Sequence, residues 1–223
     1  MLKPICNFDF ETDTANPETA NPVEVACHII DQFNLEVIRG SEFVSKIRPE
    51  GIDSPDYFTE ERNSTIAFHC KLKKCTKEEL IEEWKSYPLE KDVWQLFVAH
   101  VNKYNRGATQ WDAPIPAGQN IINFDLPIIE RLKKKYGTNR LFNHEVLDLR
   151  HISFLFLIWD TNLRKRSMDS LRDYFGISGE NAHTAMKDVE DVGLILCRFL
   201  KYCKSGFSRS KFKDSFKKVE AEV

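Results

Sequence analysis

The sequence predicts an α/β fold: a mixed β-sheet, built from an antiparallel meander plus parallel strands, flanked by helices. Three observations carry this. Strand-like segments at residues 4–12, 23–31 and 36–48 come in series before any helical periodicity. From about residue 77, helical stretches alternate with short apolar ones. The length of 223 residues, with 42% apolar and 30% charged side chains, suits one soluble domain with a sizeable core.

Taken in order, residues 4–12 (PICNFDFET) form a short buried strand with polar residues at its end. Pro17 and Pro22 punctuate the connection to 23–31, and Arg39-Gly40-Ser41 marks a turn or bulge within 36–48. Residues 49–76 show no clear pattern. Helices are expected at 77–86 and at 89–104, where Val93, Leu96, Phe97 and Val101 recur at helical spacing. The breaker-rich segment 106–116 is a loop, followed by an apolar strand at 117–122 and a helix at 125–136. A strand at 145–149, an apolar helix at 150–159 and a helix at 168–175 that stops at Gly176 come next. The last helix runs from about 184 to 203. The expected organisation is one domain over 1–203 and a basic tail over 204–223.

Several function classes fall away. No run of about 18 apolar residues is present to span a membrane. The amino terminus becomes acidic before a secretory hydrophobic region could form. The six cysteines include no CxxC pair, and His69, Cys70 and Cys75 look like half of a zinc site without a second half. A reduced cytoplasmic protein is the simplest reading. The net charge of −2 argues against electrostatic coating of nucleic acid, yet eight basic residues lie between Arg198 and Lys218.

Three short elements carry carboxylates of interest. Asp9 and Glu11 sit two apart on the first strand, so alternation puts both on one face. Burying them together is costly unless a cation intervenes, although a solvated strand end is the plain alternative. Asp125 follows an apolar run and opens a helix, where it would equally serve as a cap. Asp188 precedes Val192, Ile195 and Phe199 at helical spacing, which places it near a core-facing stripe, with His183 five residues earlier. Four carboxylates converging from strands and a helix make a hard oxygen cage suited to two Mg²⁺ or Mn²⁺.

The order D-x-E at Asp9 and Glu11, G-x-N-x-x-x-F-D from Gly118 to Asp125, and H-x-x-x-x-D from His183 to Asp188 resembles the DEDDh branch of the DnaQ-like 3′→5′ exonucleases, on an RNase H-like fold. The second motif, with Leu126-Pro127, is also similar to the proofreading domains of family B DNA polymerases. Those carry a tyrosine four residues before the last aspartate, where this chain has Thr184. The stretch from Asp9 to Asp125 is longer than the family pattern, and the excess falls in 49–76 or 106–116.

The resemblance implies a two-metal phosphodiesterase that releases nucleoside 5′-monophosphates from a 3′ end. Asp9 would bridge two Mg²⁺ or Mn²⁺, Glu11 and Asp188 would complete one site, Asp125 would hold the other largely through water, and His183 would be the general base. The expected partner is nucleic acid with a free 3′ end, single-stranded and with DNA favoured. A polymerase or a replication or repair protein is a further partner class the resemblance leaves open, and no membrane is expected. An exoribonuclease and a catalytically silent nucleic-acid-binding adaptor stand as alternatives. Thr12 and the backbone around it are candidates to meet the terminal nucleotide, and the aromatics of 58–69 and 106–116 to stack on bases, with packing the commoner role for each.

Overall fold

The structure, a computed structural model, describes residues 3–159, 165–179 and 184–209. Its sheet is built from β1 (Ile5–Thr12), β2 (Pro22–Asp31), β3 (Glu36–Val37), β4 (Phe43–Lys46), β5 (Ile115–Gly118) and β6 (Leu147–Asp148). The spatial order is β3-β2-β1-β5-β6, with β4 also paired to β2. β1, β2, β3 and β4 pair antiparallel, whereas β5 runs parallel to β1 and β6 parallel to β5. The helices are α1 (Glu60–Lys73), α2 (Lys77–Lys85), α3 (Glu90–Asn102), α4 (Asp125–Tyr136), α5 (Leu149–Trp159), α6 (Met168–Phe175) and α7 (Ala185–Arg209). None of the described helices is long and apolar enough to cross a membrane.

Strand alternation divides β1 between two layers. Phe8 and Phe10 join Val93 and Phe97 of α3 and Ile128 and Leu132 of α4 in one buried cluster. The other face packs against α7, where Ile5 and Ile30 meet Val192, Ile195 and Leu196. Asn7 fixes that contact, because its Nδ2 donates to the Val189 carbonyl at 2.6 Å. A Cβ added at Gly193 would lie 2.3 Å from His28 Nε2, so only glycine lets α7 come this close to β2.

The structure revises four expectations. The 36–48 strand is two short ones, broken by a turn in which Gly40 takes a φ of 77°. The 117–122 strand is displaced to Ile115–Gly118, because residues beyond it turn at Asn120 (φ 62°) rather than extend. Leu96, placed on the buried stripe of α3 by its spacing, is 61% exposed. The last helix continues past 203 to Arg209, so the basic segment begins inside α7; residues 210–223 lie outside the described residues.

Residues 49–76 contain a 3₁₀ turn at Pro55–Tyr57 and then α1. Of the side chains of α1, only Ile66 and His69 are buried. A helix with so narrow an apolar stripe gives no readable periodicity. That narrow stripe is nonetheless buried, since Ile66 joins Val23, Ile52, Leu80 and Trp84 in one cluster, and charge adds to the docking. Buried Asp13, just beyond β1, accepts from Asn21 N at 2.8 Å and from Arg62 Nε of α1 at 3.0 Å. That tie sets α1 beside the polar end of β1.

Candidate metal centre

Asp9 and Glu11 leave β1 on the α7 side, and Asp188 leaves the first turn of α7 towards them. One ligand oxygen from each of the three carboxylates lies within 4.8 Å of the others. They are the one such His, Cys, Asp or Glu group found among the described residues. The crowding is expensive. Burial, followed by the nearby charges of Asp125, Glu11 and Asp188, holds the Asp9 carboxyl well above the usual carboxylate range. Burial and the charge of Asp188 push Glu11 up to about 8. A cation would relieve this crowding, and an all-oxygen set suits a hard divalent ion. On the chemistry of this donor set, Mg²⁺ or Mn²⁺ fits.

Asp125 stands beside the trio rather than within it. It is the first residue of α4, with Phe124 in the cap position. Its Oδ1 accepts from Phe10 N at 3.1 Å, so its carboxylate is tied to β1 between the two strand acids. Burial pushes it up to about 7, against that hydrogen bond. The connection that delivers it is shaped by buried Asp148 at the end of β6. Asp148 accepts from Asn120 N at 2.9 Å, from Ile122 N at 3.2 Å and from Arg150 N at 2.8 Å. Gly118 permits the fold-back, since a Cβ there would come within 2.8 Å of the Phe8 carbonyl.

Two clefts share Glu11 as a lining residue. One, of about 390 Å³, is lined by Phe10, Thr12, Thr14, Phe68 and Phe124 among others. The second, of about 230 Å³, includes Glu24, Lys46, Lys73 and Thr184. His69 lines both. Its Nε2 lies 3.0 Å from the Thr12 carbonyl, which only accepts, so the ring donates there. Burial lowers the pKa of His69, which keeps it a neutral donor. This contact fixes the end of β1 and employs His69 without Cys70 or Cys75. Among the described residues, His69, Cys70 and Cys75 do not form a group of three or more converging ligand atoms.

His183 lies outside the described residues; Thr184, next in sequence, lines the second cleft. Trp111 of the 106–116 loop packs against His144 and under Lys3, near the start of β1 and away from Glu11. That loop therefore brings no aromatic ring to the carboxylates. Sequence reasoning missed Glu24 and Arg172. Glu24 lies directly across from Glu11 in the β1–β2 register and holds Lys46 at 2.7 Å. Its place beside a strand acid was discoverable only once the register was known. Arg172 of α6 is paired to Asp188.

No protein-family model and no curated protein matches the sequence. Solved structures do. A zinc-bound complex of E. coli exonuclease I with single-stranded DNA is similar over 91% of this chain and 43% of that one, with a TM-score of 0.63 at 17% identity. E. coli exonuclease I in complex with a dT13 oligonucleotide matches over 87% of this chain and 40% of that one, with a TM-score of 0.59 at 17% identity. A product-bound exonuclease I is similar over 92% and 46% of the two chains, at a TM-score of 0.61 and 16% identity. The chain thus spans less than half the length of these proteins. The likeness bears out the expected fold, an RNase H-like mixed sheet flanked by helices.

Proposed function

We propose that this chain is a DEDDh-type 3′→5′ exonuclease that hydrolyses single-stranded nucleic acid, with DNA preferred, and releases nucleoside 5′-monophosphates. The observation that carries the reading is the convergence of Asp9, Glu11 and Asp188 within 4.8 Å, on elements far apart in sequence. The preference for DNA rests on the fold shared with structures of exonuclease I bound to DNA oligonucleotides.

Asp9, Glu11 and Asp188 would hold two Mg²⁺ or Mn²⁺, with Asp125 adding a carboxylate from the start of α4. Bound there, the cations supply charge that acidifies an attacking water and offsets charge building on the phosphate. Deprotonated Asp9 and Glu11 are the forms that bind, so metal binding and loss of their protons are one linked event. His183 takes the proton from the attacking water, a task suited to an imidazole titrating near neutrality. The terminal nucleoside sits in the larger cleft, where Phe68 and Phe124 offer rings to the base. Thr12, held through its carbonyl by His69 and through its Oγ1 to the Thr14 carbonyl at 2.8 Å, presents a fixed backbone to the sugar.

The test is digestion of 5′-labelled single-stranded DNA and RNA in Mg²⁺ or Mn²⁺, with EDTA and the Asp188→Ala protein as controls. A ladder shortening from the 3′ end, lost in both controls, is expected, with DNA cut faster than RNA. Oligonucleotides left whole in both metals by a folded protein would overturn the reading.

A further inference from the structure

We infer that Arg172 is a positioning residue that holds Asp188 in its metal-ligating orientation; the inference rests on the exonuclease reading of the same carboxylates. Arg172 is among the largest fully buried side chains, at 2% exposure. Its guanidinium is spread over three acids. Nε donates to Asp191 Oδ2 at 2.7 Å, Nη1 to Asp169 Oδ1 at 3.2 Å, and Nη2 to Asp188 Oδ1. The other oxygen of Asp191 is held by Lys187 Nζ at 2.6 Å. Lys187, Asp191, Arg172 and Asp188 therefore form one continuous chain of charge that ends at the carboxylate group of Asp9, Glu11 and Asp188.

A clamp joining α6 to α7 would need only Asp191, which is itself buried and one turn along from Asp188. Reaching Asp188 as well does something different. It commits one oxygen of a ligand carboxylate to a rigid planar donor, so the side chain cannot turn away from Asp9 and Glu11. It also places a cation beside acids that otherwise repel one another. Lysine is an incomplete substitute, because one compact nitrogen cannot match the reach of a planar, five-donor guanidinium. The arrangement is the outer support that a first-turn ligand on a helix requires, and loss of such support typically costs 10–100-fold in metal affinity or activity.

The test measures Mn²⁺ binding by calorimetry, independent of turnover, on wild type, Arg172→Met, Arg172→Lys and Asp191→Asn, each checked for folding by circular dichroism. Arg172→Met is expected to bind Mn²⁺ roughly 10–100-fold more weakly. Its kcat should fall in step while the KM for the oligonucleotide stays within about threefold. Arg172→Lys should recover only part of the affinity, and Asp191→Asn should weaken binding several-fold. A folded Arg172→Met protein with wild-type Mn²⁺ affinity would overturn the inference. Should Arg172→Met not fold, wild-type affinity in Arg172→Lys would do the same. A wild type that binds Mn²⁺ yet cuts nothing would sink the exonuclease reading alone, since the affinity comparison still stands.

Discussion

Withdrawing metal and raising the pH should destabilise this protein, and Glu11 is the residue through which to see it. In the folded chain its carboxyl is pushed from 4.5 up to about 8. The folded state therefore keeps a proton that the unfolded chain has already lost, and stability drains away as pH rises between those values. From pH 5 to pH 8 that is three units at about 1.4 kcal/mol each, roughly 4 kcal/mol as an upper bound. The two clefts that Glu11 lines admit water and neighbouring acids share the protonation, so about half, ~2 kcal/mol, is the expected effect. For a chain of this size that corresponds to roughly 4–8 °C in Tm. The comparator is Glu11→Gln, which resembles the protonated acid at every pH. His28 and His69, whose pKa values burial lowers, contribute stability in the opposite sense below about pH 6.5, and the comparison cancels them. The assay is a thermal melt in EDTA across pH 5 to 8. The two proteins should melt close together at pH 5 and diverge by pH 8 with wild type the less stable. Mn²⁺ should close the gap at pH 8 by raising wild type. A difference between them that stays flat across this range would refute the electrostatic argument.

Replacing His183 with Ala should cut kcat by roughly 10²–10⁴-fold while Mn²⁺ affinity measured by calorimetry stays near wild type; a parallel loss of metal would make it a ligand instead of a base. Phe68→Ala should weaken oligonucleotide binding by about 1–3 kcal/mol, roughly 5–150-fold by fluorescence anisotropy, and unchanged binding would remove Phe68 from the nucleoside cleft. Gly193→Ala forces a methyl against His28 Nε2, 2.3 Å away. A loss of about 1–3 kcal/mol in chemical denaturation is expected; a neutral result would mean that α7 rides further from the sheet.

The legible and the illegible parts of this chain separate by what kind of force sets them. Asp9 and Glu11 were readable because strand alternation is geometric, and the structure keeps both on one face of β1. The end of α6 was readable because Gly176 takes the left-handed φ of 66° that closes a helix. The segment after β5 was misread because Ile121 and Ile122 look like strand residues. In fact Ile121 is buried through a turn pinned by Asp148, an acid 27 positions further along the sequence. α1 escaped notice because its apolar stripe is as narrow as Ile66 and a neighbouring His69, with a salt bridge from Asp13 to Arg62 adding to its docking. Arg172 carries no sequence signal of burial; only its fit against Asp188 and Asp191 of α7 reveals it.

Joining Asp9 of β1 to Asp188 of α7 has a kinetic corollary. The contact spans most of the described sequence, so it belongs to the slow, non-local class of folding events. A chain that has made its sheet but not docked α7 holds strand acids with no helix acid opposite them. The candidate metal site is therefore complete only in a chain whose α7 has docked on β1.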